Sequence, residues 1–511
     1  MNNFAVMERL SQRNAVLNVQ ASEFKTLAYE MVDQIAAFME ELPNKKVTSG
    51  ENPNAIKAIL GERNLPTSGE APNEIIGEAT NLLFNHSLFN GHPRFWGYIT
   101  SSAAPLGALA DLLVASVNAN VGAFALSPMA TEIEKQTIQW IAELIGYQKN
   151  CGGIFVSGGN MANFTGFLAA RKHKISTDIR REGIVFEKGE EAKQYTIYCA
   201  KGTHTWIEKA AELFGHGTNA IRWINTNRKQ QLDTLALENQ IEKDKQEGHI
   251  PFIVIGNAGS VSTGIIDELD KISVICKIHN LWFHVDGAYG MPAAALPENI
   301  NLFKGYKEAD SIALDPHKWL YSPIEAGCVL VKNPQYLTEA FSFKPEYYKF
   351  DGEQMDGDTP VNFHEYGMQN SRGFRALKVW MMLKQAGKEG YIDMIREDIS
   401  LSKKLFELID VTSNLEACTQ NLSIATFRYV PEEYSTDNEY LNRLNEKLLE
   451  HLQQDGEVFL SNAIIDGNYC LRMCIVNFRT SYTDLIALIN IVLKEGKKLH
   501  GNMQLQLGIN A

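Results

Sequence analysis

The 511-residue sequence lacks several features that would place it in a specialised class. It has no run of about twenty apolar residues, so no membrane-spanning helix is predicted. Its seven cysteines are scattered, and the one close pair, Cys470 and Cys474, has no second pair or histidine cluster to complete a zinc site, so no metal is expected. The cysteines are predicted to be buried thiols in a reducing compartment. The first residues show no apolar segment followed by a cleavage site, so we expect no signal peptide and a cytoplasmic location.

The sequence is also short of basic residues. Lys and Arg total 48 against 61 Asp and Glu, and the formal net charge is −13. A nucleic-acid surface must be basic to neutralise phosphates, so nucleic acid is not expected as the main partner. Internal repeats and low-complexity tracts are absent as well. The remaining composition, 45% hydrophobic and 21% charged, is ordinary for a globular chain of two or three domains.

Alternating apolar segments indicate an α/β fold. Strand-like and helix-like runs follow one another through the middle of the chain, which predicts a mostly parallel sheet with helices on both faces. The predicted strands are 154–157, 195–200, 252–256, 281–285 and 311–314, with an edge or antiparallel strand at 326–331. A helix over 107–119 is apolar on nearly every face and is therefore predicted to be deeply buried.

The chain is predicted to have three parts. Residues 1–90 form an N-terminal helical segment that is too small for a core of its own and is expected to pack on the main domain or on a second copy of the chain. Residues 91–385 form the large α/β domain, and residues 386–511 form a small α+β domain. Residues 342–370, dense in Gly, Asp, Pro and aromatics, are predicted to be a long active-site loop, with an irregular surface excursion as the alternative.

Three motifs that follow predicted strands are typical of a site for pyridoxal phosphate. Gly158-Gly159 precede a helix that begins near Asn160, so backbone amides can approach a phosphate. Asp286 ends an apolar strand, where a buried carboxylate needs a partner such as the pyridinium nitrogen of this cofactor. Lys318, in the pentapeptide Asp-Pro-His-Lys-Trp, would hold the cofactor aldehyde as a Schiff base.

Each motif has an ordinary explanation when it is taken alone. A Gly-Gly turn is often only a tight bend, a buried Asp often forms a structural salt bridge, and most lysines are solvated surface charges. His204 follows the 195–200 strand and is predicted to point into the crevice at the strand ends, although a lone histidine is more often a polar residue at a helix start. The glycine turn is neither a Walker loop nor a dinucleotide fingerprint. The combination of motifs therefore favours pyridoxal phosphate.

Together these residues resemble the pyridoxal-phosphate-dependent amino acid decarboxylases, the family of aromatic-L-amino-acid, glutamate and cysteine sulfinate decarboxylases. The likeness covers most of the chain. Besides the glycine turn and His204, it rests on Met31-Val32-Asp33, Phe38-Met39-Glu40, His92-Pro93-Arg94-Phe95-Trp96-Gly97-Tyr98, Ser127-Pro128-x-x-Thr131-Glu132-x-Glu134, Asp267, Asp286-x-Ala288 and Asp315-Pro316-His317-Lys318-Trp319.

The resemblance implies a type I aminotransferase-like fold and a homodimer with active sites at the subunit interface, in which the N-terminal helices take part. It implies that Lys318 is the Schiff-base lysine, that Asp286 pairs with the pyridinium nitrogen and that His204 stacks on the ring. Further residues implied around the cofactor are Ala288, Asp267 near the ring hydroxyl, Asp315, His317, and Gly159, Asn160 and Met161 at the phosphate.

The resemblance also implies a substrate pocket. Its expected residues are Tyr98, Ile99 and Ser101, which would accept an aromatic ring, and Asn120 and Gly122 from the other subunit. Aromatic-specific relatives have bulkier apolar side chains at these last two positions, so the polar Asn120 leaves a polar or acidic substrate open.

The predicted reaction is decarboxylation of an L-amino acid to its amine, with an aromatic substrate favoured. A loop tyrosine, Tyr347 with Tyr348 as the alternative, is implied to protonate the substrate carbon after carbon dioxide leaves. Aldehyde-forming relatives carry phenylalanine there, so Tyr347 favours plain decarboxylation over oxidative decarboxylation. An aminotransferase, with Arg472 or Arg479 holding the substrate carboxylate, is a further alternative. A cofactor-free scaffold is disfavoured because both Lys318 and the aspartate are present.

Overall fold

One seven-stranded sheet organises the large domain. The structure is a computed structural model that describes residues 7, 11, 15–184, 193–343 and 360–506. The strands of this sheet are β1 (Gly152–Val156), β2 (Tyr195–Ala200), β3 (Ile221–Ile224), β4 (Ile250–Asn257), β5 (Trp282–Asp286), β6 (Ser311–Leu314) and β7 (Gly327–Val331). Their spatial order is β1-β7-β6-β5-β4-β2-β3, and all the pairings are parallel except those of β7. The strand predicted at 326–331 is therefore antiparallel, and it lies inside the sheet instead of at its edge.

Helices alternate with these strands and pack against the sheet. In β1, β5, β6 and β7 every residue is buried, which is typical of strands whose two faces are both covered. The main helices are α1 (Ala21–Glu41), α2 (Pro53–Leu60), α3 (Pro72–Asn85), α4 (Pro105–Val117), α5 (Pro128–Ile145), α6 (Gly159–Lys174), α7 (Ile179–Glu182), α8 (Trp206–Leu213), α9 (Thr234–Gln246), α10 (Leu269–His279), α11 (Pro316–Trp319), α12 (Gln335–Phe341), α13 (Ala376–Asp410), α14 (Asn438–Asp455) and α15 (Tyr482–Gln506). No helix in the described ranges is long and apolar enough to cross a membrane.

A second, antiparallel sheet lies in the C-terminal part of the chain. Its strands are β8 (Leu415–Asn421), β9 (Ile424–Tyr429), β10 (Ser461–Ile465) and β11 (Asn468–Cys474), in the order β10-β11-β9-β8. Helix α13 leads into this unit and contains one non-helical residue, Gly387, with φ of 65°. The unit has a hydrophobic core of its own, which includes Leu444, Leu471 and Val492.

The helix predicted at 107–119 is not deeply buried, which corrects the expectation from its composition. In α4 only Gly107 and Ala110 are buried. Leu109, Leu113 and Val117 are 53%, 50% and 67% exposed. The apolar composition of a helix predicts that its surface is covered by other residues. It does not predict whether those residues belong to the same chain or to another one.

Candidate active site

A cavity of about 530 Å³ lies at the carboxyl ends of the central strands. Ligands of open α/β sheets bind at this edge, because loops from several strands converge there. Residues from the segments after β1, β2, β4, β5 and β6 all contribute to its lining. The predicted residues found in the lining are Tyr98, Ile99, Gly159, Asn160, Met161, His204, Asp286, Ala288, Asp315, His317 and Lys318.

Lys318 lies beside a buried carboxylate in the turn that follows β6. Its Nζ is 2.9 Å from Oδ2 of Asp315, and Nε2 of His317 is 3.8 Å from the same oxygen. Asp315 is 1% exposed, and its Oδ1 has no hydrogen-bond partner among the described residues. Burial lowers the pKa of His317, so its imidazole is neutral at neutral pH.

The turn between β1 and α6 forms the cavity wall next to this lysine. Because α6 begins at Gly159, its first amide groups have no partner within the helix and are available to an anion. A Cβ at Gly159 would lie 2.6 Å from Oδ2 of Asp315 and 3.2 Å from Cβ of Ala288. Glycine is therefore required at position 159, where the chain passes closest to the pair formed by Lys318 and Asp315.

We expect Gly159→Ala to weaken cofactor binding. The added methyl group must displace the buried Asp315 carboxylate or Ala288, and overpacking of this kind costs about 1–3 kcal/mol. A cost of this size in the cofactor-bound state raises the dissociation constant of pyridoxal phosphate by about 5- to 150-fold. Absorbance titration of the apoenzyme measures this constant. Gly501→Ala is the control, because a Cβ at Gly501 meets nothing within 4 Å. Equal constants for both variants would contradict the expectation.

Asp286 presents a second buried carboxylate to the cavity. It ends β5 and is 8% exposed. Its hydrogen bonds come from neutral donors, the indole Nε1 of Trp206 at 2.7 Å to Oδ2 and the backbone N–H of Ala288 at 3.2 Å to Oδ1. A buried anion held by neutral groups is suited to a cationic ring nitrogen.

His204 lies at the cavity wall directly before α8. Its Nδ1 accepts the backbone N–H of Trp206 at 3.2 Å, which leaves the proton of the neutral ring on Nε2. Burial lowers the pKa of His204, and the nearby Lys318 acts in the same direction, while Asp286 opposes both. The imidazole is therefore neutral at neutral pH and suited to stacking on a flat ring. The glycine turn, the two carboxylates, the lysine and this imidazole fit pyridoxal phosphate.

Two predicted residues support the cavity without lining it. Asp267 is buried and accepts hydrogen bonds from the backbone N–H and the side chain of Asn257, at 2.8 and 3.0 Å. Asn257 lines the cavity and was missed from the sequence, although its place at the end of β4 is the kind of position that marks such residues. Burial raises the pKa of Asp267, and the hydrogen bonds from Asn257 act in the opposite direction. Ser101 donates to the carbonyl of His317 at 3.0 Å.

The predicted pocket residues Asn120 and Gly122 do not line the cavity of their own chain. Oδ1 of Asn120 accepts the backbone N–H groups of Gly122 and Arg372, both at 3.1 Å, so this oxygen joins its own loop to the segment at Arg372. Contribution of the loop to a second subunit stays a prediction. Tyr347 and Tyr348 lie outside the described residues, as does most of the predicted active-site loop.

A buried ion pair near this loop was not predicted as such. Nη2 of Arg372 lies 2.6 Å from Oε1 of Glu134, and the two side chains are 1% and 0% exposed. Glu134 also accepts the backbone N–H of Phe155 in β1, and Arg372 donates to the carbonyls of Val121 and Phe155. The last glutamate of the Ser-Pro-x-x-Thr-Glu-x-Glu run therefore joins α5, β1 and two loops.

The chain is similar in sequence to known proteins over most of its length. A family model described as the pyridoxal-dependent decarboxylase conserved domain matches residues 53–430. An aromatic-L-amino-acid decarboxylase of Bacillus atrophaeus is 32% identical over 475 residues, which cover 93% of this chain and 95% of that protein. A phenylacetaldehyde synthase of Petunia hybrida is 27% identical over 92% of this chain and 93% of that protein.

Solved structures share the fold. The crystal structure of Oryza sativa TDC with pyridoxal phosphate and tryptamine matches with a TM-score of 0.86, covering 95% of this chain and all of that one, at 22% identity. Catharanthus roseus tryptophan decarboxylase in complex with L-tryptophan matches with a TM-score of 0.83 over 94% of this chain and 99% of that one, at 26% identity. These matches confirm the predicted type I fold.

Proposed function

Because the chain belongs to the pyridoxal-dependent decarboxylase family, we propose that it converts an L-amino acid to the corresponding amine and carbon dioxide. Membership makes the protein a lyase with pyridoxal phosphate as its cofactor. The observation that carries the proposal is the meeting of Lys318, Asp286 and His204 in one cavity at the strand ends.

The proposed roles of Lys318, Asp286 and His204 follow from their contacts, and the role of Tyr347, which lies outside the described residues, follows from the resemblance to the family. When bound, pyridoxal phosphate supplies an electron sink for the bond that breaks at the substrate α-carbon. Lys318 holds the cofactor aldehyde, and its pairing with Asp315 places the amine at the cavity wall. Asp286 would pair with the protonated ring nitrogen of the bound cofactor, and the neutral His204 would stack on its ring. Tyr347 delivers a proton to the substrate carbon after carbon dioxide leaves.

We propose an aromatic substrate. Tyr98 and Ile99 line the cavity, and Val261 adds a further apolar side chain. Within the described ranges the lining contains no arginine, and a glutamate or cysteine sulfinate side chain would require a cation of this kind. The similarity to an aromatic-L-amino-acid decarboxylase supports the same choice.

Oxidative decarboxylation to an aldehyde is the second candidate function. It is favoured by one observation, the similarity to phenylacetaldehyde synthases of Petunia hybrida and a Rosa hybrid cultivar, at 27% and 26% identity. The proposed role of Tyr347 distinguishes decarboxylation from oxidative decarboxylation, because a tyrosine that protonates the substrate carbon directs the reaction to the amine. We expect Tyr347→Phe to raise the ratio of aldehyde to amine.

An aminotransferase receives less support from the two arginines considered for that reaction. Arg472 is 2% exposed and donates to the carbonyl of Tyr98 at 3.0 Å and to Oγ of Ser461 at 2.9 Å. Arg479 borders a neighbouring apolar pocket. Neither arginine lines the main cavity.

We propose that the enzyme is a cytoplasmic homodimer. The exposed apolar face of α4 and the exposed Phe24 and Tyr29 of α1 form the kind of surface that another subunit covers. All seven cysteines are free, as in proteins of a reducing compartment. Sedimentation of the purified protein measures its mass; a monomer at micromolar concentration would contradict the dimer.

Product analysis by mass spectrometry tests the function. Purified protein with pyridoxal phosphate is incubated with the common amino acids, DOPA and cysteine sulfinate, and Lys318→Ala is incubated in parallel. An amine that forms only with the intact lysine supports decarboxylation and identifies the substrate. An aldehyde supports the second candidate, and oxo-acids would overturn both.

A further inference from the structure

Trp206 lies between the two side chains proposed to meet the cofactor ring. It is fully buried at the start of α8 and does not itself line the cavity. Its indole Nε1 donates to Oδ2 of Asp286 at 2.7 Å, across 80 positions of sequence. Its backbone N–H donates to Nδ1 of His204 at 3.2 Å. One residue therefore contacts the ring-nitrogen partner and the stacking imidazole.

The indole is held in place from behind by a neutral histidine. The rings of Trp206 and His284 meet edge to face, with centroids 5.7 Å apart and an interplanar angle of 75°. His284 lies 2.7 Å from Oγ of Ser311 and 2.7 Å from Oδ1 of Asn163, so both ring nitrogens have partners. Burial lowers the pKa of His284 to about 4, which keeps this ring uncharged at neutral pH. The neutral His284 ring therefore packs against the indole and does not compete with its N–H for the charge of Asp286.

We propose that Trp206 is a positioning residue for the cofactor: its indole N–H orients and tunes the Asp286 carboxylate, and its backbone N–H selects the tautomer of His204. This inference rests on the proposed roles of those two residues. A hydrogen bond from a neutral donor to a carboxylate is charge-assisted and stabilises the ionised form. With the bond present, the Asp286 carboxylate is held in one orientation at the cavity. Without it, the carboxylate is free to rotate, and the ring nitrogen is held less well.

Trp206→Phe isolates the indole bond. Phenylalanine keeps an aromatic ring in the buried position but has no N–H, and the backbone N–H to His204 is retained. Trp380→Phe is the matched control, because Nε1 of Trp380 donates at 2.7 Å to Oε1 of Gln136, a neutral acceptor outside the cavity. Both variants are compared with wild type well below their thermal midpoints, so that lost packing does not enter the comparison.

The readouts are the dissociation constant of pyridoxal phosphate and the pH dependence of the visible absorbance of the holoenzyme without substrate. In Trp206→Phe we expect the constant to rise about tenfold, the order expected for one lost hydrogen bond to a charged group. We also expect the pH midpoint of the absorbance to move in this variant and to stay in place in Trp380→Phe. A merely structural role for the indole would leave that midpoint unchanged.

The outcomes separate this inference from the proposed function. If wild type binds the cofactor and forms an amine while Trp206→Phe matches Trp380→Phe in both readouts, the positioning role is overturned and the decarboxylase proposal stands. If wild type binds the cofactor but forms no amine, the proposed reaction fails, and the binding constant and pH midpoint still decide the role of Trp206.

Discussion

Replacing Lys318 with alanine lowers the rate of product formation by at least about 10³-fold, because the amine that holds the cofactor is lost. The measurement is amine production by mass spectrometry under saturating substrate and cofactor. The same replacement leaves Asp315 buried without the cation that lies 2.9 Å from its Oδ2, so the loss of activity must be separated from an electrostatic effect.

Lys318→Arg makes that separation. Arginine keeps a positive charge near Asp315, but its guanidinium stays protonated and cannot take the place of the lysine amine. We expect this variant to recover thermal stability relative to Lys318→Ala and to remain inactive. Substantial activity in either variant would contradict the assignment of Lys318.

Glu134→Ala is expected to cause the largest loss of stability. The change leaves Arg372 as an uncompensated charge in the interior, since both partners are essentially unexposed. Breaking a buried pair in this way costs about 3–5 kcal/mol. The free energy of unfolding, measured by denaturant titration, reports the effect. Glu134→Gln keeps an acceptor for the backbone N–H of Phe155 and is expected to fall between alanine and wild type.

Glu407→Ala is the control for this prediction. Glu407 pairs with Lys404 at 3.1 Å on the exposed side of α13, where solvent screens the charges, and no measurable change is expected. If Glu134→Ala is as stable as Glu407→Ala, the buried pair does not hold α5, β1 and the neighbouring loops together.

Six strands of the large sheet were predictable because they are continuous apolar runs. The predicted strands 195–200 and 311–314 coincide with β2 and β6. Strands β9 and β11 of the C-terminal sheet were predicted as 423–429 and 471–476, whereas β3, β8 and β10 were missed. They carry polar residues; β3 and β10 mix buried with exposed positions, and β8 has no buried residue. Their pairing partners, more than their own composition, therefore place them in a sheet.

In the candidate site too, local sequence predicted some features, and contacts between distant segments determined the others. The glycine turn, Asp286 and Lys318 were predicted because each combines a demanding residue type with a position at a strand end, and the fold brings them into one cavity. The contact of Trp206 with Asp286 and the indirect place of Asp267 behind Asn257 were not predictable, since they depend on distances between segments far apart in the chain.

By itself, the sequence determined the fold class, the cofactor chemistry and the residues at the strand ends, because local patterns and residue types are sufficient for these. Only the tertiary structure decided which polar groups reach the cavity and which support it from behind. It also decided that the apolar helix α4 faces outward. The composition of a helix shows that its face is apolar, whereas the tertiary structure determines whether other residues of the chain pack on that face.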